Sequence, residues 1–324
     1  MTILYTPLSR RQWIGGSVAL STTLLSGCLA ARNRSEPESV WGRYGFSDGR
    51  FIKPRAMAID ADDHLFIVDT TGRIQVFDGD GNFLRNWKTP QTENGRPTGM
   101  TIRRAADGRP DRLLVADTHY YRMLSYSLDG ALHEGEQIGG TPGFAAGQFA
   151  FVTDVVCDAR GCFYIGEYGD SDRIQKFDPD GAFLAQWGSS GSEPEQFVRP
   201  QSLAIQGDII WVADAGNHRI QRFDISKQTP ELIDVIGREG SGRGEFHYPY
   251  DLAFAADGTI IVCEYGNQRL QRLSADGKWI AFWGGPGFQP GQLYDPWAVV
   301  VDSRDRIHVL DSNNHRVQRL MMFG

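Results

Sequence analysis

From residue 40 onward, short apolar runs recur along the chain, each closing on an acid. Leu65-Phe66-Ile67-Val68-Asp69, Leu113-Leu114-Val115-Ala116-Asp117, Ile209-Ile210-Trp211-Val212-Ala213-Asp214 and Ile260-Ile261-Val262-Cys263-Glu264 are examples. The acid column runs Asp69, Asp117, Glu167, Asp214, Glu264 and Asp311, at spacings of 48, 50, 47, 50 and 47 residues. Four to six residues after each acid comes an arginine (Arg73, Arg122, Arg173, Arg219, Arg269 and Arg316), and each arginine opens another short strand. Turn dipeptides such as Asp80-Gly81, Asp129-Gly130, Asp180-Gly181 and Asp276-Gly277 follow in most copies. A fourth strand then ends at Trp187-Gly188, Ile236-Gly237 or Trp283-Gly284. Nowhere does a 3.6-residue apolar period persist, so stacked helical repeats are excluded. Four strands in roughly 40–50 residues, repeated six times, predict an all-β, six-bladed β-propeller.

The two ends of the pattern predict how the ring closes. The sixth copy stops at Met322-Phe323-Gly324 after its third strand, and Val40-Trp41-Gly42-Arg43-Tyr44-Gly45 matches the missing fourth. The N-terminal segment is therefore expected to complete the last blade, leaving no open sheet edge. Length alone suggests two or three domains, but a repeat reduces these to one ring over residues 39–324.

The repeat resembles the NHL family along nearly the whole region. Asn217-His218-Arg219-Ile220-Gln221 and Asn313-Asn314-His315-Arg316-Val317-Gln318 carry its signature best; Gly266-Asn267-Gln268-Arg269 is a near match. The resemblance implies the propeller fold and no single activity, since such propellers serve as binding scaffolds and as a few enzymes. A more distant resemblance is to peptidyl-hydroxyglycine amidating lyases, six-bladed propellers that use zinc held by His near the channel. In the comparable segment, Arg199-Pro200-Gln201-Ser202-Leu203, Gln201 stands where that family offers a His.

Residues 1–27 read as a cleaved export signal. Ser9-Arg10-Arg11-Gln12-Trp13-Ile14 has the twin-arginine pattern, and an apolar run too short to span a membrane follows. Leu25-Ser26-Gly27-Cys28 resembles a lipobox, which makes Cys28 the lipidated first residue and residues 28–38 a tether. This places the protein in a bacterial cell envelope, on the periplasmic side, held to the membrane through its lipid alone. Cleavage before Cys28 removes two arginines and no acid, taking the net charge from −7 to −9. A surface this acidic excludes a nucleic-acid groove, which needs clustered positive charge.

The loops leading into the innermost strands are long and glycine-rich, and most end in proline (Pro54, Pro97, Pro200, Pro249 and Pro296). The residues beside these prolines vary from copy to copy and should gather at the channel mouth. One column reads Arg55, Thr98, Thr153, Gln201, Tyr250 and Trp297; the other reads Lys53, Arg96, Phe151, Arg199, Tyr248 and Asp295. Guanidinium groups clamp carboxylate or phosphate, and aromatic faces stack on sugars or peptide side chains. Lys53, Arg55, Arg96, Arg199, Gln201, Tyr248, Tyr250 and Trp297 are thus candidate ligand contacts for a peptide, protein or glycan.

Asp154 and Asp251 join them, standing in a column otherwise filled by Ala56, Gly99, Ser202 and Ala298. With Glu167 and Glu264 they offer oxygen ligands for a divalent cation or an acid–base pair, which is the competing reading of a metal-dependent hydrolase or lyase. The acid that recurs with its arginine in all six copies reads instead as a structural ion pair. No catalytic constellation stands out, and the chain reads as a cofactor-free, monomeric binding scaffold. Cys157 and Cys162 flank a tight turn that allows a disulfide in an exported protein, although alignment with Ile59 and His64 points them to opposite faces. Cys263 reads as a small buried hydrophobe. Replacement of Cys28 by Ala is expected to move the protein from membrane to soluble fractions on cell fractionation; an unchanged distribution would refute lipidation.

Overall fold

The computed structural model describes residues 36–104 and 109–324, so the expected signal segment and the lipobox-like stretch with Cys28 lie outside the described residues. Six antiparallel four-stranded sheets follow one another around a central channel. Blades 1–5 occupy residues 54–88, 99–139, 151–187, 200–236 and 249–284. Blade 6 takes three strands from residues 298–321 and its outermost strand from Ser39–Trp41. That strand pairs antiparallel with Arg316–Met321, Ser39 facing Arg319 and Trp41 facing Val317, so the ring closes as the sequence predicts. Helical structure among the described residues is confined to four short 3₁₀ turns.

Six apolar clusters fill the six junctions between blades. One joins Phe66, Val68 and Ile74 of blade 1 to Met100, Leu113 and Val115 of blade 2; another joins Trp211 and Ala213 of blade 4 to Leu252 and Ile260 of blade 5. The second strands are buried on both faces, which is why they appear in the sequence as unbroken apolar runs. The outer strands alternate instead, as in Phe83–Lys88, where only every other residue turns inward. The last gap is sealed by Trp41, whose ring lies 4.7 Å from that of Phe77 and 6.0 Å from that of Phe51.

The hairpin at Cys157 and Cys162 corrects one expectation. Cys157 lies opposite Phe163 in the register, so Cys162 falls on the other face of the sheet. Cys157 packs toward the junction of blades 2 and 3, and Cys162 toward that of blades 3 and 4. Both are free thiols. Cys263 is fully buried, as expected of a small hydrophobe.

A polar clamp at the top of each blade explains the acid–arginine repeat. In blade 5, Glu264 accepts from Arg269 Nε at 2.5 Å, from Gln271 Nε2 at 2.7 Å and from the backbone N–H of His247 at 3.0 Å. Arg269 also donates to the carbonyls of Ser241, Gly242 and Glu245, and Gln271 donates to that of Glu245 while accepting from Gly244 N–H. All three side chains grip the loop that leads into their own blade. The same set recurs as Asp214–Arg219–Gln221 and Asp311–Arg316–Gln318, and the acid and glutamine are fully buried in each. An apolar anchor completes each grip. Phe246 is fully buried against Gly237, whose φ of +84° and closeness to the ring leave no room for a Cβ.

Blade 2 departs from the pattern. Leu124 stands where the other blades carry glutamine, and Asp117 Oδ1 is buried without a partner among the described residues. Removing one member of a buried ion pair leaves the other desolvated and unpaired, at a cost of about 3–5 kcal/mol. Glu264→Ala should therefore lower unfolding stability in urea by an amount in that range, and Asp117→Ala by clearly less. Equal losses would show that the clamp does not act as a set.

Candidate functional site

The clamped loops deliver their last residues to the channel in an unusual backbone. Lys53, Arg199, Tyr248 and Asp295 all have φ between 46° and 58°, the left-handed region that side chains rarely adopt. The loops are held there partly from the preceding blade. Lys53 N–H donates to His315 Nδ1 and Tyr248 N–H to His218 Nδ1, each at 3.0 Å, and Arg199 N–H donates to Asp172 Oδ1 at 2.8 Å. The signature histidines thus bond blade to blade. Because Nδ1 accepts, neutral His218 carries its proton on Nε2, so in the nearby group of His218, Glu239 and His247 the His218 ring keeps no lone pair for a metal.

The next turn of the chain is a β-bulge. The ladder skips Arg55, Thr153, Gln201 and Tyr250 between the first and second strands of blades 1, 3, 4 and 5. A bulged residue leaves the pleat and re-aims its side chain. Arg55, Gln201 and Tyr250 consequently meet Trp297 and Thr98 around one cavity, whose floor includes Asp154, Ser202 and Asp251. The free space at this level is about 30 Å³, room for one or two waters or an ion and far below a sugar ring.

Above the floor, cations and rings interleave. The Arg55 guanidinium lies 5.2 Å from the Trp297 ring centre, Trp297 meets Tyr250 edge-on at 5.1 Å, and Arg199 lies 5.4 Å from Tyr250 and 4.8 Å from Tyr168. Tyr250 in turn stacks on Tyr265 at 4.6 Å. The aromatic faces expected to receive a ligand are thus covered by guanidinium groups and by one another, and act as supports that fix the arginines. Burial, then Arg199, then Arg96 lower the Arg55 pKa from its usual value. His119, beside Arg55 and Arg96, is likewise lowered, first by burial.

The remaining expected residues sit further out. Lys53 lies over a side pocket between blades 6 and 1 with Arg55, Tyr265, Asp295, Trp297 and Asn313. Arg96 turns its Nε to the carbonyl of Thr70 and one terminal nitrogen to that of Gly95. Tyr248 points away from the cavity and packs on His218 and His247. The sequence reading passed over Tyr168 and Tyr265 as site members. Both directly follow the repeated acid, where other blades carry Thr70, Thr118, Ala215 and Ser312, and that local switch to tyrosine was the available signal.

Asp154 and Asp251 prove to be ties between blades. Asp154 Oδ2 accepts from Leu203 N–H of blade 4 and Oδ1 from Val155 N–H, both at 2.9 Å. Asp251 accepts from Ser202 Oγ at 2.7 Å and from Val299 N–H of blade 6 at 2.8 Å. Each carboxylate oxygen is thus turned to a backbone or hydroxyl donor. No group of three converging metal ligands among the described residues contains either acid. The zinc set implied by the amidating-lyase resemblance does not fit either, since the channel column holds Arg55, Thr98, Thr153, Gln201, Tyr250 and Trp297 without a histidine.

Fold and site together define a six-bladed propeller with a charged collar at one channel mouth. The chain is a six-bladed propeller in which residues 197–223 and 293–320 match the NHL repeat. It is 27% identical over 169 residues to human NHL repeat-containing protein 3, covering 49% of this chain and 48% of that protein. It is 34% identical over 161 residues to rat peptidylglycine alpha-amidating monooxygenase, covering 46% of this chain and 16% of that one. The chain thus spans about half of the first relative and a small part of the second. A streptogramin B lyase structure superposes with a TM-score of 0.60, covering 87% of this chain and 97% of that one, at 12% identity, a likeness of fold alone.

Burial gives the two acids a pH signature. It pushes Asp251 up to about 6, against the hydrogen bonds it accepts, and holds Asp154 well above the usual carboxylate range. Between pH 4 and 6 the folded state keeps a proton that an unfolded aspartate releases, so stability falls as pH rises through this window, by roughly 3 kcal/mol for Asp251 alone. Thermal unfolding of Asp251→Asn should therefore gain on the parent protein from pH 4 to 6 and hold a constant offset above it. A pH-independent offset would count against the assignment.

Proposed function

We propose that this protein is an exported, lipid-anchored recognition module. Its NHL-type propeller holds the end of a peptide, protein or glycan at the collared channel mouth. The observation that carries this reading is the collar itself: Arg55, Arg96 and Arg199 are fixed around one opening, and none pairs with a carboxylate among the described residues. Charges held in a partly buried position without a counter-ion lower stability, and a site that keeps them is a candidate for binding. The surrounding loop tips supply apolar contact, with Phe46, Phe144 and Phe288 each more than 60% exposed. Such patches suit a partner larger than the cavity.

Similarity to the amidating monooxygenases favours a lyase as the second reading, but the residues that would carry its zinc chemistry are not in the channel column. The two readings separate experimentally. The purified protein should bind a discrete subset of a peptide and glycan array, lose that binding in Arg199→Glu and keep it in Asp62→Ala, a change at a turn between strands. Zinc-dependent turnover of a peptidyl-α-hydroxyglycine, with no array binding, would overturn the proposal.

A further inference from the structure

The collar is chemically one-sided. Arg55 makes no hydrogen bond or ion pair among the described residues, so all five of its N–H donors are unused. Arg199 spends only its Nε, on Gln201 Oε1 at 2.7 Å, and keeps both terminal nitrogens. Arg96 keeps one terminal nitrogen. None of the three pairs with a carboxylate among the described residues. Asp154 and Asp251 lie beneath and turn their oxygens to Leu203, Val155, Ser202, Leu252 and Val299. His119 adds a neutral ring on the same side. Asp295 is engaged by Tyr265 Oη at 3.2 Å and by Asn313.

The aromatic residues do not offset this imbalance with a stacking platform. Tyr250 is 7% exposed, with Arg199 over one part of its surface, Tyr265 stacked on it and Trp297 at its edge. Arg55 lies over Trp297. A sugar ring would have to displace a guanidinium to reach a face. Below, the floor leaves about 30 Å³, room for water or an ion and not for a sugar ring.

We propose that the collar seats a small oxyanion, a carboxylate or a phosphate, presented end-on by its ligand and clamped between Arg55 and Arg199. This assignment rests on the recognition reading above and narrows it: the group read by the site is an anionic terminus, and the rest of the ligand lies over the loop tips. Forked guanidinium donors match both oxyanions, and the rings behind them hold the forks in place before the ligand arrives.

The test uses the whole protein and simple anions at fixed ionic strength. Thermal unfolding is followed while sodium phosphate, sodium acetate or glucuronate replaces sodium chloride, with glucose as the uncharged counterpart of glucuronate. A bound anion neutralises the crowded cations. It should give a saturable rise in melting temperature of roughly 3 °C at about ten times its Kd. Arg55→Met/Arg199→Met should abolish the saturable part and leave only the unsaturable salt effect common to any folded protein.

Saturation by phosphate alone assigns a phosphoryl ligand; saturation by acetate or glucuronate assigns a carboxylate. The inference is overturned if none of the three anions saturates, if the double variant responds like the parent, or if glucose matches glucuronate. The array separates this inference from the broader reading. Array binding that survives while the anion effect fails leaves a recognition module with a different epitope; loss of both removes the two together.

Discussion

Everything that happens at the channel mouth depends on the buried clamp of acid, arginine and glutamine at the top of the blades. Five of the glycine-rich inter-blade loops carry a short internal ladder, such as Gly240 N–H to the Phe246 carbonyl and Phe246 N–H to the Arg238 carbonyl, which shapes the loop without fixing it to its blade. The acid takes the N–H of the loop residue leading into the inner strand, the arginine takes two or three loop carbonyls, and the glutamine takes one of each. An ion pair buried at 0% exposure of the acid stabilises little by itself, because desolvation offsets most of the Coulombic gain. Its value here is geometric: every donor and acceptor is matched only when the loop lies in one conformation. That fixed path forces the left-handed residue and the bulge that follow.

Bulge and strained backbone aim the collar. A regular strand would alternate residues between the two sheet faces and bury Arg55 or Tyr250 between blades. With one residue skipped in the ladder, the side chain points up the channel axis while the rest of the strand keeps its register. The aromatic residues then take a supporting role. Tyr168, Tyr250, Tyr265 and Trp297 make a wall on which the guanidinium groups rest, so the cations rather than the rings are presented at the channel mouth. Beneath them Asp154 and Asp251 tie blades 3 to 4 and 5 to 6 through backbone N–H groups. The same carboxylates that read as chemistry in the sequence hold the ring together in the structure.

How much was legible follows from which contacts are periodic. The acid column, its arginines and the trailing Trp41-Gly42 recur with the repeat, so blade number and ring closure could be read directly. The variable columns beside the prolines were legible as a collar for the same reason, being departures from a pattern already established. Contacts between blades were not legible. Cys157 and Cys162 are five residues apart, yet strand register sends them to separate clusters. Tyr168 and Tyr265 join the site because neighbouring blades bring Arg199 and Trp297 beside them, at sequence distances of about thirty residues. The signature histidines show the same limit, since their partners are backbone N–H groups of the following loop.

The sequence by itself determined the strand count, the order of blades, the closure of the ring and the face to which the variable loop residues are brought. These depend on local propensity and on a pattern repeated six times, and repetition makes weak local signals add. The tertiary structure alone decided what each polar side chain does. Whether Asp154 binds a cation or a backbone N–H, and whether Tyr250 offers a face or supports Arg199, depends on what the adjacent blade places within about 3–5 Å, where hydrogen bonds and cation–ring contacts act. Those neighbours are set by packing across the inter-blade clusters, which no spacing along the chain encodes.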